Sequence, residues 1–137
     1  MAHTCPALVF RCMDFRIKLS VFSRLLEQIG YPEGTYDLVS AAGSAKDLLA
    51  TNQGEVYFLF KQIELSQRLH QIKEVVIIYH DNCGAYGITD PSQEHETQSQ
   101  DLERIKRLIE TRYQGLIVKT YIIKGVAQDD LSLAAAA

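Results

Sequence analysis

Two cysteines and a histidine, Cys12, His80 and Cys83, are the residues of this sequence best equipped to do chemistry. Two thiolates and an imidazole form a soft donor set that suits Zn²⁺ in tetrahedral geometry. Three protein ligands leave a fourth position open. A water there has its pKa lowered towards neutrality, and that open position separates a catalytic zinc from a closed structural one. The spacing of His80 and Cys83, His-x-x-Cys, lets both side chains point the same way across one tight turn, and Gly84 after it permits close backbone approach. Taken alone, the pair also describes a buried cysteine beside a histidine at a strand end. Asp14 and Arg16 stand two residues apart, on the same side of an extended chain, where they can form a bidentate pair. Next to a candidate ligand, an orienting role is expected of them in preference to that of a surface ion pair.

Cys12 has a second reading, as a nucleophile in a phosphate-handling loop. Such loops place an arginine six positions after the thiol, where Lys18 stands here, and the residues between include Asp14 and no glycine. A carboxylate two residues from the thiol repels phosphate, which weighs against that chemistry. No function is expected of His3, His70 or His95, and Cys5 reads as a small buried hydrophobe.

These residues need elements to position them. Four runs rich in Val, Ile, Leu or Tyr (7–10, 36–39, 74–79 and 116–123) read as strands, near-continuously apolar as in a parallel sheet covered on both faces. Between them, helical spacing links Val21, Phe22, Leu25, Leu26 and Ile29; Val56, Leu59, Phe60 and Ile63, extending to Leu69; and Leu102, Ile105, Leu108 and Ile109. Gly30 and Gly115 are the expected helix stops. Strands alternating with helices predict an α/β three-layer domain: a mainly parallel sheet of four or five strands flanked by helices, spanning 1–137 as one unit. Sites in such sheets form beyond the carboxyl ends of the strands, where Cys12, Asp14, Arg16, the Ser40-Ala41-Ala42-Gly43 segment, His80 and Cys83 all fall. The polar stretch 92–100 reads as a solvated loop, or as a lid over the site, and 131–137 as a frayed helix or added tail.

Composition bounds the function further. The chain has 137 residues, 47% hydrophobic and 23% charged, as ordinary globular proteins do, and can bury a core without disulfides. A net charge of −3 with no concentrated basic face speaks against nucleic-acid binding, and no apolar stretch is long enough to span a bilayer. With no secretory signal and an odd count of three cysteines, a cytoplasmic, reducing location is expected.

The sequence resembles the β-class carbonic anhydrases, which combine Cys-x-Asp-x-Arg after the first core strand with His-x-x-Cys-Gly after a later one. Both appear here in order, as Cys12-Met13-Asp14-Phe15-Arg16 and His80-Asp81-Asn82-Cys83-Gly84. The resemblance implies that Cys12, His80 and Cys83 bind one Zn²⁺ per chain, that Asp14 and Arg16 form the family's gating and orienting dyad, and that a zinc-bound hydroxide hydrates CO₂ reversibly to bicarbonate. The alternatives are a related zinc hydrolase of carbonyl sulfide or carbon disulfide, and a non-catalytic zinc-stabilised binding module. Where the family usually has Arg-Asn-Ala-Gly, this chain has Ser40-Ala41-Ala42-Gly43. A small neutral substrate is expected, with neither nucleic acid nor membrane as partner. A homo-oligomer is also expected, formed through the apolar cluster 56–60 because 1–4 is too short to embrace a neighbour.

Overall fold

The computed structural model describes residues 3–136. Its elements run β1 (Ala7–Cys12), α1 (Leu19–Gln28), β2 (Tyr36–Ala41), a 3₁₀ turn (Lys46–Leu49), α2 (Gln53–His70), β3 (Glu74–His80), α3 (Pro91–Arg112), β4 (Ile117–Lys124) and β5 (Ser132–Ala135). The sheet has the order β2-β1-β3-β4-β5, with β2, β1, β3 and β4 parallel and β5 antiparallel to β4.

Strand alternation splits the core into two layers. Leu8, Phe10, Val75, Ile77 and Tyr79 face α2 and α3, meeting Leu59, Phe60, Ile63, Leu102, Ile105 and Ile109. Ala7, Val9, Val76 and Ile78 face the other way, onto Phe22, Leu25 and Leu26 of α1. Each fully buried aliphatic side chain in these layers contributes about 1.5–3 kcal/mol relative to its exposed state. Helices α1 and α2 therefore cover opposite faces, so the chain reverses its direction of travel across the sheet between β1 and β3. Open α/β sheets leave a crevice at such a point, beyond the carboxyl ends of the two strands. No described helix is long and apolar enough to cross a membrane.

The structure corrects several expectations. β1 is buried throughout and β3 everywhere but its first residue, Glu74; β2 and β4 have exposed positions, because β2 is an edge and β4 is flanked by a short strand. The stretch 92–100 is helix, not loop or lid: Asp90 caps α3 by accepting the Ser92 N–H at 3.0 Å, and Pro91 occupies its first turn. The buried stripe of α3 runs Glu94, Gln98, Leu102, Ile105, Ile109, so its helical period is intact but two inward positions are polar. The C-terminal segment is an edge strand, with Tyr121 opposite Ala135 and Lys124 opposite Ser132, and Ala137 lies outside the described residues. Cys5 is half-buried.

Candidate metal centre

Parallel pairing of β1 with β3 brings the ends of both strands to one edge of the sheet. There Cys12, His80 and Cys83 are all buried, and each offers a donor atom within 4.8 Å of the others'. The ring of His80 is oriented by its own turn: Nδ1 lies 2.6 Å from the carbonyl oxygen of Asp81. A carbonyl only accepts, so Nδ1 carries the proton and Nε2 holds a lone pair. Among the described residues that buried Nε2 has no hydrogen-bond partner, and the nearest Asp14 carboxylate oxygen is 3.7 Å away. A buried lone pair aimed at two thiols is the donor set a divalent cation of the zinc type takes.

The turn that carries His80 and Cys83 is held by three side chains. Glu94, 4% exposed, accepts the N–H groups of Asn82 at 2.7 Å and Cys83 at 2.9 Å. Gln98, one turn further along α3, donates to the His80 carbonyl at 2.9 Å. Asp81 accepts the N–H groups of Gly125 at 2.8 Å and Val126 at 3.0 Å, fastening the turn to the end of β4. Gly125 has φ +85°, and a Cβ there would stand 2.0 Å from the Asp130 carbonyl oxygen, so that anchor needs glycine.

The loop after β1 is fixed by Arg11, which is 4% exposed. Its Nε donates to the Cys12 carbonyl at 2.7 Å, its Nη2 donates to the carbonyls of Asp14 and Ile17, and its guanidinium stacks over Phe22. Asp14 and Arg16 form the bidentate pair expected of them, at 2.7 Å and 3.1 Å. Arg16 also reaches the second half of the site, donating to Asn82 Oδ1 at 2.7 Å and to the Asn82 carbonyl at 2.8 Å. The third strand end closes the floor: the Met13 N–H meets the Ala41 carbonyl at 3.1 Å. Gly43 has φ +74°, and a Cβ there would lie 3.2 Å from that of Ala85.

Electrostatics follow from this packing. The Arg16 fork holds the Asp14 carboxyl down to about 2, outweighing partial burial. The close approach of Cys83 and His80 pushes the Cys12 thiol far below its ordinary range against the cost of burial, while the Cys12 thiolate and burial push Cys83 up. Burial opposes a charged His80, but the neighbouring Cys12 thiolate, the Asp81 carbonyl and the Asp14 carboxylate move it up on balance. Two thiols this close cannot both ionise without a compensating positive charge, which a divalent cation supplies.

All five residues picked out from the sequence therefore meet at one edge. Arg11, Asp81, Asn82, Glu94 and Gln98 were assigned no role from the sequence. The signal for the last two was present: Glu94 and Gln98 extend the Leu102–Ile105–Ile109 stripe by i, i+4 steps, marking polar residues on a core-facing line.

The family model described as "Putative carbonic anhydrase" matches residues 2–128. Among curated proteins the chain is similar to an uncharacterized protein of Rickettsia bellii, 28% identical over 131 residues that cover 88% of this chain and 77% of the relative. An uncharacterized protein of Rickettsia conorii is 29% identical over 131 residues, covering 88% and 68%. Among solved structures, a carbonic anhydrase of Streptococcus mutans superposes with a TM-score of 0.65 at 14% identity, covering 99% of this chain and 84% of that one. A carbonic anhydrase of Glaciozyma antarctica gives 0.64 at 16%, covering 100% and 85%. A structure of two tetrameric β-carbonic anhydrases of Sordaria macrospora gives 0.62 at 13%, covering 99% and 84%. At such identities the structural likeness is one of fold.

Proposed function

This chain belongs to the carbonic anhydrase family that the matching model represents, and from that premise we propose that it hydrates CO₂ reversibly to bicarbonate at a zinc ion held by Cys12, His80 and Cys83. The observation that carries the reading is the buried Nε2 of His80, without a hydrogen-bond partner among the described residues and with Nδ1 committed to Asp81, beside two buried thiols. Bound there, zinc supplies Lewis acidity that makes a nucleophile of water near neutral pH.

The protein's own groups supply the rest. Asp14, kept ionised by Arg16, can only accept hydrogen bonds, so it orients an incoming water through its proton and aims the oxygen lone pair at the substrate carbon. Arg16 occupies both Asp14 oxygens and ties them to Asn82, which keeps the carboxylate from swinging into the donor cluster as a competing ligand. Glu94, Gln98 and Arg11 are positioning residues: they fix the backbone from which the donors project.

The reading extends to assembly and location. Tyr57 and Phe58, 62% and 56% exposed on α2, provide an apolar face for a second copy, and tetramers are known for the Sordaria macrospora relatives. Buried free thiols fit the cytoplasm. The test is CO₂ hydration by protein of verified metal content, beside Asp14→Ala. That variant is expected to keep its zinc and to lose turnover by about 10²–10⁴-fold, the span of a lost acid–base or orienting group. Hydrolysis of carbonyl sulfide or carbon disulfide in place of CO₂ hydration would reassign the substrate. Equal rates in parent and Asp14→Ala would remove the dyad from the mechanism.

A further inference from the structure

At the opposite end of the sheet a second group of donors converges. Cys5, in the segment before β1, Asp37, near the start of β2, and His70, the last residue of α2, each offer a donor atom within 4.8 Å of the others'. We propose that Cys5, Asp37 and His70 form a second metal site that takes a Zn²⁺-type cation, separate from the Cys12–His80–Cys83 cluster.

Six observations support it. The chemistry matches: one thiolate, one carboxylate and one neutral imidazole neutralise a divalent ion and are each ordinary zinc ligands. The donors are preorganised, because the Cys5 N–H donates to the His70 carbonyl at 3.1 Å and joins the two segments directly. The carboxylate is itself oriented, as Ser66 Oγ donates to Asp37 Oδ2 at 2.6 Å and so fixes the side chain from outside the donor set. A fourth donor is within reach: the ring of His3 lies 4.8 Å from that of His70, tilted by 49°. A cavity of about 300 Å³ borders Asp37, Ser66 and His70 and gives an ion a path to them. Their side chains are partly open, 26% for His70 and 31% for Asp37, which suits an exchangeable site.

The same residue types can also build an activated thiol, but the geometry does not favour it. Nδ1 of His70 is 2.7 Å from Asp37, and the Cys5 thiol donates to the Ala7 carbonyl at 3.6 Å, so among the described residues the sulfur is not hydrogen-bonded to a base. As an ion pair alone, a half-exposed His–Asp contact is worth little and leaves the thiol beside it unexplained.

The test is a zinc titration of the full chain, reduced and stripped of metal, against a competing chromophoric chelator, repeated with Co²⁺ to read thiolate-to-cobalt absorption. Cys5→Ser and His70→Ala are each expected to bind one equivalent fewer than the parent. Cys12→Ser/Cys83→Ser is expected to retain one equivalent, whose cobalt absorption disappears when Cys5→Ser is added. His95→Ala, outside both clusters, serves as the control and keeps the parental count. The reading is the difference between variants, so it survives even if the Cys12–His80–Cys83 cluster binds nothing. Folded Cys5→Ser and His70→Ala proteins that both match the parent's count overturn the proposal. Should either variant fail to fold, Asp37→Asn is read in its place by the same criterion.

Discussion

The two donor clusters of this molecule use similar side chains and differ in what surrounds them. At the carboxyl end of the sheet, every donor is buried, and the backbone carrying them is bound by residues that are not donors: Arg11, Asp81, Glu94 and Gln98. His80 turns its proton to a carbonyl and leaves a lone pair facing the cluster. At the amino end, His70 spends its Nδ1 on Asp37, itself a donor, and the side chains are partly open to water. The first cluster can give up nothing without leaving buried polar groups unpaired, whereas the second can satisfy itself or open to a ligand. Surroundings, not residue types, thus separate a fixed reaction centre from an exchangeable site.

The largest effect expected from breaking that contrast is at Cys83. Cys83→Ser replaces a thiolate by a hydroxyl that seldom ionises and should abolish stoichiometric zinc at the carboxyl-end cluster together with CO₂ hydration, both measurable on one sample. Next comes the support. Glu94→Gln can accept at one oxygen but places an amide donor against the N–H of Asn82 or Cys83. Zinc affinity should drop by about 10–100-fold, the usual cost of a lost supporting contact, as read by chelator competition. An unchanged affinity would make Glu94 a simple helix residue.

Acid sensitivity sharpens the comparison with a smaller effect. Asp14 is depressed to about 2 in the folded protein by its hydrogen bonds to Arg16. Its contribution to stability is therefore fully present above the unfolded value, about 3.9, and is lost as pH falls through the folded one. Arg16→Ala should be less stable than the parent above about pH 4, and the Asp14 share of that gap should close on approaching pH 2. Denaturant midpoints at several pH values check this; a gap independent of pH would mean that Arg16 acts through Asn82 alone. The smallest effect belongs to the amino-end cluster, where Ser66→Ala removes one hydrogen bond to a partly exposed carboxylate and should cost about 1 kcal/mol or less.

The contrast also explains what could be read from the sequence. Four strands, three helices and the parallel order were legible because apolar periodicity marks them, and the five residues at the strand ends were legible because topology forces strand ends together. The support was not, because it depends on distant pairings: Glu94 reads as one more polar residue until α3 is seen to place it beneath the N–H groups of Asn82 and Cys83. The same polar composition made 92–100 look like a loop, although Asp90-Pro91 is a helix-start signal. Cys5, His70 and Asp37 lie far apart in the sequence, so nothing in their spacing announces a cluster.

The central claim is that Cys12, His80 and Cys83 hold the ion on which CO₂ hydration depends. Its most direct test is stopped-flow CO₂ hydration by the purified protein before chelation, after complete removal of metal, and after return of zinc to the parent and to Cys12→Ser. The account predicts activity lost on removal, restored in the parent by zinc and not restored in Cys12→Ser. Hydration that persists without metal, or that zinc restores equally in Cys12→Ser, would contradict it.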